Sequence, residues 1–291
     1  MRPAEEGLLL LCCRLGDEAA PLTMAEYREL SRRVLQSGQA DPDEELTSDH
    51  LRAFGYDAPM RVQILTLLDR KAQLDRYLGA HPEITVLTRI SAGFPRRLRR
   101  LGDHCPPALF LKGDLSLLQR PCIALVGSRR IAPPNRAFAE AVGKQAALEG
   151  YVLVSGGAVG ADRTAQEACL RSGGSVICVV PDALTNYPRR ADVLYCSDEG
   201  YEFTFSAARA LRRNGIIHGL GEKTFVAQSG FGRGGTWAGT TDNLRRGLSE
   251  VYVFSDGSEA AARFQADGAT LLTAAPEKIG ELRPSQLSIF D

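Results

Sequence analysis

The sequence predicts an α/β protein: an extended Rossmann-like parallel sheet preceded by a small helical N-terminal domain. Three observations lead there. From Cys122 onward the chain repeats an apolar run of strand length, a glycine-bearing loop and a helical stretch. Those runs are apolar throughout rather than alternating, as strands covered on both faces must be. Residues 1–80, in contrast, carry helical spacing and few strand signals.

In the helical domain, Met24, Tyr27, Leu30, Val34 and Leu35 mark a helix over Met24 to Gln36. Ile64, Leu67, Leu68, Leu74 and Leu78 mark a second over Met60 to Leu78. Gly38 and Pro42 break the chain between them. Residues 81–120 connect, with short strands expected at Ile84 to Leu87 and Ala108 to Lys112, ended by Gly113.

The sheet domain follows, its core running from about residue 115 to 275 and its full extent over 81–280. Cys122 to Val126 is the first strand, and Pro133-Pro134 suit the start of its helix. Val152 to Val154 is the second, with Asp162 as the expected N-cap of the next helix and Gly173-Gly174 as its end. Ser175 to Val180, Thr224 to Ala227 and Glu250 to Phe254 are later strands. Residues 281–291 read as a flexible tail.

Composition narrows the function. Of 291 residues, 44% are hydrophobic and 24% charged, which excludes a disordered or fibrous chain. The longest apolar runs, Leu8 to Cys13 and Val176 to Pro181, fall short of the ~20 residues of a membrane helix. No signal peptide is apparent, since Glu5 and Glu6 precede a short apolar run without a cleavage site, so a cytoplasmic protein is expected. The seven cysteines include no C-x-x-C, and Cys122, Cys169 and Cys178 lie in apolar segments, as reduced buried thiols do. Only four histidines occur, none at ligand spacing to a cysteine, so neither metal nor cofactor is expected. Net charge is zero, from 35 basic and 35 acidic residues, which excludes a generally basic surface but not a local patch.

Chemistry is expected beyond the carboxyl ends of the strands, where such sheets bind ligands. Two glycine loops sit there: Gly127-Ser128-Arg129-Arg130 and the run from Ser155, Gly156 and Gly157 to Gly160. Backbone N–H groups at helix starts favour phosphate, and arginine forks onto it. Arg213 and Asn214, expected to face outward near a loop, form a third cluster. Gly234, Gly235 and Thr236 form a fourth, where Thr236 can donate to an anion. No G-x-x-x-x-G-K-[ST] occurs, and no G-x-G-x-x-G follows the first strand, which argues against a P-loop NTPase and a dinucleotide dehydrogenase. His50, His81 and His104 lie outside the glycine loops, and His218 reads as structural.

Taken in order, these pieces resemble the DprA/Smf family of DNA-processing proteins over about residues 84–272. Phe94-Pro95 with Leu98 resembles its YP-x-x-L, and Pro107 to Gly113 its P-x-x-L-x-x-x-G. Val126 to Arg129 resembles its VGSR, and Ser155 to Asp162 its SG-x-A-[RK]-G-[IV]-D. Tyr187-Pro188 resembles its YP, and Arg213 to Ile217 its RNRII. The resemblance implies a homodimer that binds single-stranded DNA, protects incoming DNA and loads the recombinase RecA during natural transformation, without catalysis. Gly127, Ser128 and Arg129 would form its DNA-binding loop, and Ser155, Gly156 and Gly157 a second phosphate-facing loop.

This chain departs from the pattern at Val159 and Gly215, which replace basic residues, and at Ala227-Gln228, which replace an EA pair. No winged-helix segment follows residue 280. Arg130, Arg163, Arg189, Arg190, Arg212 and Arg233 are the candidates to compensate in charge; Tyr187, Phe231 and Trp237 are the candidates for base stacking. The alternative reading is a nucleotide-binding or nucleotide-processing protein, because Gly234 to Thr240 partly echoes the PGG-x-GT-x-x-E loop of LOG-type phosphoribohydrolases, with Asp242 the nearest acid. The C-terminal Gln286-Leu287-Ser288-Ile289-Phe290 resembles the bacterial sliding-clamp motif, in which Leu287, Ile289 and Phe290 would fill an apolar pocket and Gln286 would bond its rim.

Overall fold

The computed structural model describes residues 1–38 and 45–284. It divides into a smaller unit, residues 1–94, 103–110 and 198–200, and a larger unit formed by the remainder. No helix among the described residues is long and apolar enough to cross a membrane.

The smaller unit holds helices α1 (Pro3–Cys12), α2 (Met24–Gln36), α3 (Ser48–Ala53), α4 (Ala58–Leu68) and α5 (Lys71–Gly79), then strand β1 (Thr85–Thr88). Its core is Leu8, Leu11, Leu22, Leu30, Leu51, Ile64 and Leu67. Thr23 accepts from the Glu26 N–H and Glu26 from the Thr23 N–H, which fixes the start of α2. The single helix expected over Met60 to Leu78 is instead two, α4 and α5. The break falls where Arg70 turns inward, pairs with Asp17 at 2.9 Å and donates to the Leu10 and Cys13 carbonyls. Those carbonyls close α1 and have no partner within the helix.

Strand β2 (Ala108–Lys112) leads into β3 (Cys122–Val126), α6 (Pro133–Leu148), β4 (Val152–Ser155), α7 (Ala161–Arg171), β5 (Ser175–Val179) and β6 (Val193–Ser197). Then come α8 (Ala207–Leu220), β7 (Lys223–Val226), α9 (Gly234–Arg246), β8 (Glu250–Phe254), α10 (Glu259–Ala266) and β9 (Thr270–Leu272). In the larger unit the strands run β6-β5-β4-β3-β7-β8-β9. Every neighbouring pair is parallel, with Ala124 of β3 opposite Val154 of β4 and Thr224 of β7. Strands β3 and β4 are buried along their whole length, as their apolar runs require. The sequence reading missed β6 and the edge strand β9.

All seven cysteines are buried free thiols. Burial pushes the Cys122 thiol up to about 12, so it is inert as a nucleophile. His218, likewise wholly buried, sits among polar partners. Asn243 Nδ2 lies 3.1 Å from its Nδ1 and 2.9 Å from Ser249 Oγ, and Thr224 Oγ1 lies 3.3 Å from the same ring nitrogen. Burial holds its pKa down at about 4, so it is a neutral element of the core.

Candidate nucleic-acid interface

The chain runs outward from β3 to β6 on one side and from β7 to β9 on the other, so strand order reverses between β3 and β7. The loops after β3, β4 and β7 meet there.

The first loop is laced to its neighbours. Gly127 lies so close to α7 that a Cβ would fall 2.4 Å from Ala161 Cβ. The Ser128 N–H donates to the Gln228 carbonyl at 3.0 Å, and the Ser128 carbonyl accepts from the Ala161 N–H at 3.2 Å. Gln228 Oε1 accepts from the Ala132 N–H at 2.8 Å. The Ser128 amide is therefore committed inside the protein, and the outward elements of this loop are the exposed side chains of Arg129 and Arg130. The Arg129 guanidinium lies 5.8 Å from the centroid of the Phe205 ring. Helix α6 opens on Pro133 and Pro134, which have no N–H to offer an anion.

The second loop carries its own anion. Ser155 is fully buried, its Oγ accepting from Gln166 Nε2 at 2.8 Å. Asp162 is not the N-cap, which is Gly160, but sits one residue inside α7 and is buried. Its carboxylate accepts from the Gly156 and Ala158 N–H groups. Desolvation pushes its pKa up to about 6, against the opposing pull of Arg213 and those amides. The loop amides thus turn inward to Asp162, and only Gly157 and its neighbours to Val159 reach the surface.

Arg213 does not face outward. It lies mid-helix in α8, is 6% exposed, and donates from Nη1 to the Val179 carbonyl at 2.9 Å. A Cβ on Gly156 would fall 1.5 Å from that same Nη1. Arg213 is therefore a brace beneath the second loop. The neighbouring Asn214 is half-buried and donates to the Gly235 carbonyl at 3.0 Å, tying α8 to the first turn of α9. Gly215 packs toward Leu101, where a Cβ would stand 3.3 Å from Cδ2.

Gly234, Gly235 and Thr236 form the first turn of α9, with Arg233 at the N-cap and no side chain capping it. Among the three helix starts that follow these loops, α9 is the one suited to an anion. Helix α6 begins on prolines, and at the start of α7 the Ala161 and Arg163 N–H groups already donate to the Ser128 and Ala158 carbonyls.

The remaining candidates separate clearly. Arg163, Arg212 and Arg233 are exposed on α7, α8 and before α9. Arg189 and Arg190 precede β6 and so lie at the opposite, amino-terminal edge of the sheet. There they line a cavity of about 650 Å³ with Gly113, Asp114 and Leu115, and Arg190 pairs with Asp192 at 2.8 Å. Tyr187 packs against Tyr195 with the rings tilted at 34° and their centroids 4.7 Å apart, and donates to Asp182 at 2.6 Å. Trp237 stacks on Phe264 at 4.8 Å, with Phe231 against its edge. Asp242, the acid nearest the phosphoribohydrolase-like loop, is held by Arg245 at 2.6 Å and Arg246 at 2.8 Å. Burial alone would raise its pKa, but those hydrogen bonds keep it below the ordinary carboxylate value. Gln286, Leu287, Ile289 and Phe290 lie outside the described residues.

Sequence reasoning missed Phe205, the exposed ring beside Arg129, and the role of Gln228 as the link between the first and third loops. The paired spacing of glycine loops that led to Arg129 holds no signal for Phe205, which comes from an irregular segment. Gln228 appeared only as a departure from the family pattern.

A parallel sheet whose phosphate-type loops gather at the reversal of strand order defines the Rossmann-like class of ligand-binding domain. More narrowly, residues 85–283 match the model for DNA recombination-mediator protein A, and the chain belongs to that family, the DprA/Smf proteins. It is 27% identical to DNA processing protein DprA of Bacillus subtilis, over 77% of this chain and 76% of that protein. The X-ray structure of DNA processing protein A from Streptococcus pneumoniae superposes with a TM-score of 0.69 at 26% identity, covering 90% of this chain and 99% of that one. DNA processing protein A from Helicobacter pylori, whose structure addresses a single-stranded DNA binding mode, shares the fold with a TM-score of 0.57 at 22% identity, over 66% of this chain and 91% of that one.

Proposed function

We propose that this DNA-processing protein holds single-stranded DNA along the carboxyl-terminal edge of its sheet, without making or breaking a bond. The observation that carries the reading is Arg129, exposed beside Phe205 at the reversal of strand order, with the uncapped start of α9 at the same edge. Arg129 and Arg130 would meet phosphates, with Gly127 and Ser128 shaping their loop. Gly234, Gly235 and Thr236 would receive a further phosphate. Ser155, Gly156, Gly157, Arg213 and Asn214 would act by holding these loops in place. The relative from Helicobacter pylori, studied for its single-stranded DNA binding, supports the choice of ligand.

The DprA/Smf resemblance extends the proposal to a cytoplasmic homodimer that protects incoming DNA and loads RecA in transformation or recombination. The terminal Gln286, Leu287, Ile289 and Phe290 would add a contact to the sliding clamp. Fluorescence titration of labelled poly-dT tests the first part; no binding at low salt removes it. RecA filament growth on poly-dT should quicken when this protein is added, and an unchanged rate removes the loading role. Deleting residues 286–291 should abolish capture of the clamp; unchanged capture removes that contact. A single monomeric species in sedimentation at working concentration excludes the homodimer.

A further inference from the structure

Arg96, Arg97, Arg99 and Arg100 place four guanidinium groups within five residues of a chain whose net charge is zero. They open a 3-10 helix, Arg96–His104, of which residues 96–102 belong to the larger unit. Three residues per turn give such a helix three rows of side chains. Leu98 and Leu101 form the first row and are buried. Helix α8 seats them because Gly215 and Gly219 carry no side chain: a Cβ there would stand 3.3 Å from Leu101 Cδ2 and 3.0 Å from Leu98 Cδ2. Arg97 and Arg100 form the second row, Arg96 and Arg99 the third.

The second row meets the loops that precede β7 and β8, at the amino-terminal edge of the sheet. Arg97 Nη2 donates to the Gly221 carbonyl at 2.8 Å and to the Leu248 carbonyl at 3.2 Å, and Arg100 Nη1 reaches the same Leu248 carbonyl at 3.5 Å. Two like charges converge on one neutral acceptor. Burial lowers the Arg97 pKa and Arg100 lowers it further, against the pull of Glu222 and Glu250. Glu250 is itself committed to Lys223 at 3.1 Å and to the Tyr252 hydroxyl at 2.9 Å. Asp103, the next acid along the chain, pairs with Arg28. Arg96 and Arg100 are exposed, and among the described residues neither has a carboxylate partner.

Such a patch attracts an anionic partner, and spacing selects its kind. A nucleic-acid groove combines a cationic track with stacking rings. Residues 95–102 expose no aromatic ring, and Glu222 stands beside Arg97. The four arginines span only ~8 Å along the helix axis, and neighbours within a row stand ~6 Å apart. Alternate side chains of an extended peptide lie ~6.6 Å apart on one face, close to that row spacing. Guanidinium forks match carboxylates bidentately.

We propose that this arginine face docks an extended acidic segment of a partner protein, its carboxylates received by Arg96, Arg99 and Arg100, with Arg97 as the brace that fixes the helix to the sheet edge. The face lies at the edge of the sheet opposite Arg129, so the proposal goes beyond the DNA-binding reading and does not depend on it.

The test titrates a labelled peptide of alternating glutamate and serine against the full chain at low salt, read by fluorescence anisotropy. Arg96→Ala/Arg100→Ala should weaken binding by about threefold to tenfold, the scale of two exposed ion pairs. Arg96→Lys/Arg100→Lys should recover part of that loss, because it keeps the charge but not the fork. Lys144→Ala/Lys278→Ala removes the same charge from α6 and from the segment after β9, and should bind as wild type does; so should Arg129→Ala. Absence of wild-type binding overturns the proposal, as does equal weakening in the two alanine double variants. A short DNA duplex titrated against the same variants tests the phosphate alternative. A loss on Arg96→Ala/Arg100→Ala that is larger for the duplex than for the peptide assigns the face to nucleic acid, and the proposal falls.

Discussion

The guanidinium of Arg213 lies against the backbone of Gly156 so closely that a methyl group there would fall 1.5 Å from Nη1. The arginine is buried, bonded to the Val179 carbonyl, and supplies the positive charge that opposes the desolvation of Asp162. One side chain thus fixes the second glycine loop from below while that loop's own aspartate gathers its amides from within. The loop is packed from both sides next to Arg129, and the missing side chain of Gly156 is what leaves room for the guanidinium.

Gly156→Ala should therefore destabilise the protein by about 1–3 kcal/mol, the usual range for forcing extra volume into a packed site. Urea denaturation measures it. A variant with wild-type stability would show that Arg213 is not packed on the loop.

Arg213→Met should be more costly, about 3–5 kcal/mol, because it strands the Asp162 carboxylate in the interior without its opposing charge. Adding Asp162→Asn should recover part of that loss. A double variant whose loss equals the sum of the two single losses would mean that the two groups do not interact.

Two buried groups give stability opposing slopes in the acid range. His218 has a pKa lowered from 6.5 to about 4, so the unfolded chain binds its proton first, and stability from this group is lost as pH falls from 6.5 toward 4. Asp162 has a pKa raised from 3.8 to about 6, so the folded chain binds its proton first, and stability from this group is lost as pH rises from 3.8 toward 6. Relative to wild type, His218→Gln should gain stability as pH drops from 7 to 4, and Asp162→Asn should lose it. Denaturation midpoints at several pH values read both trends. Parallel trends for the two variants would contradict the assignment.

The sheet was legible because β3, β4 and β5 are continuous apolar runs followed at once by glycine loops, and burial on both faces permits little else. Strand β6 was not, since Val193 to Ser197 follows the irregular Tyr187-Pro188-Arg189-Arg190 stretch and has no helix-and-loop signal before it. Arg213 was misplaced for a physical reason. Asn214-Gly215 reads as a turn, and arginine is seldom buried, yet α8 continues through both residues and carries Arg213 inward. The positions of Arg189 and Arg190 were equally hidden, because the edge a loop occupies depends on strand direction. The edge on which Arg129 stands was legible from spacing, since a residue after a first strand and its glycine lies beyond that strand's carboxyl end.

The most direct measurement is a titration of labelled poly-dT against wild type, Arg129→Ala and the Arg189→Ala/Arg190→Ala double variant at two salt concentrations. Arg129→Ala should weaken binding and flatten the salt dependence by about 0.7 in log–log slope, the share of one phosphate contact on a single strand. The double variant, altered at the opposite edge of the sheet, should bind as wild type does. Loss of binding in the double variant with Arg129→Ala unaffected would place the DNA on the other edge and contradict the account.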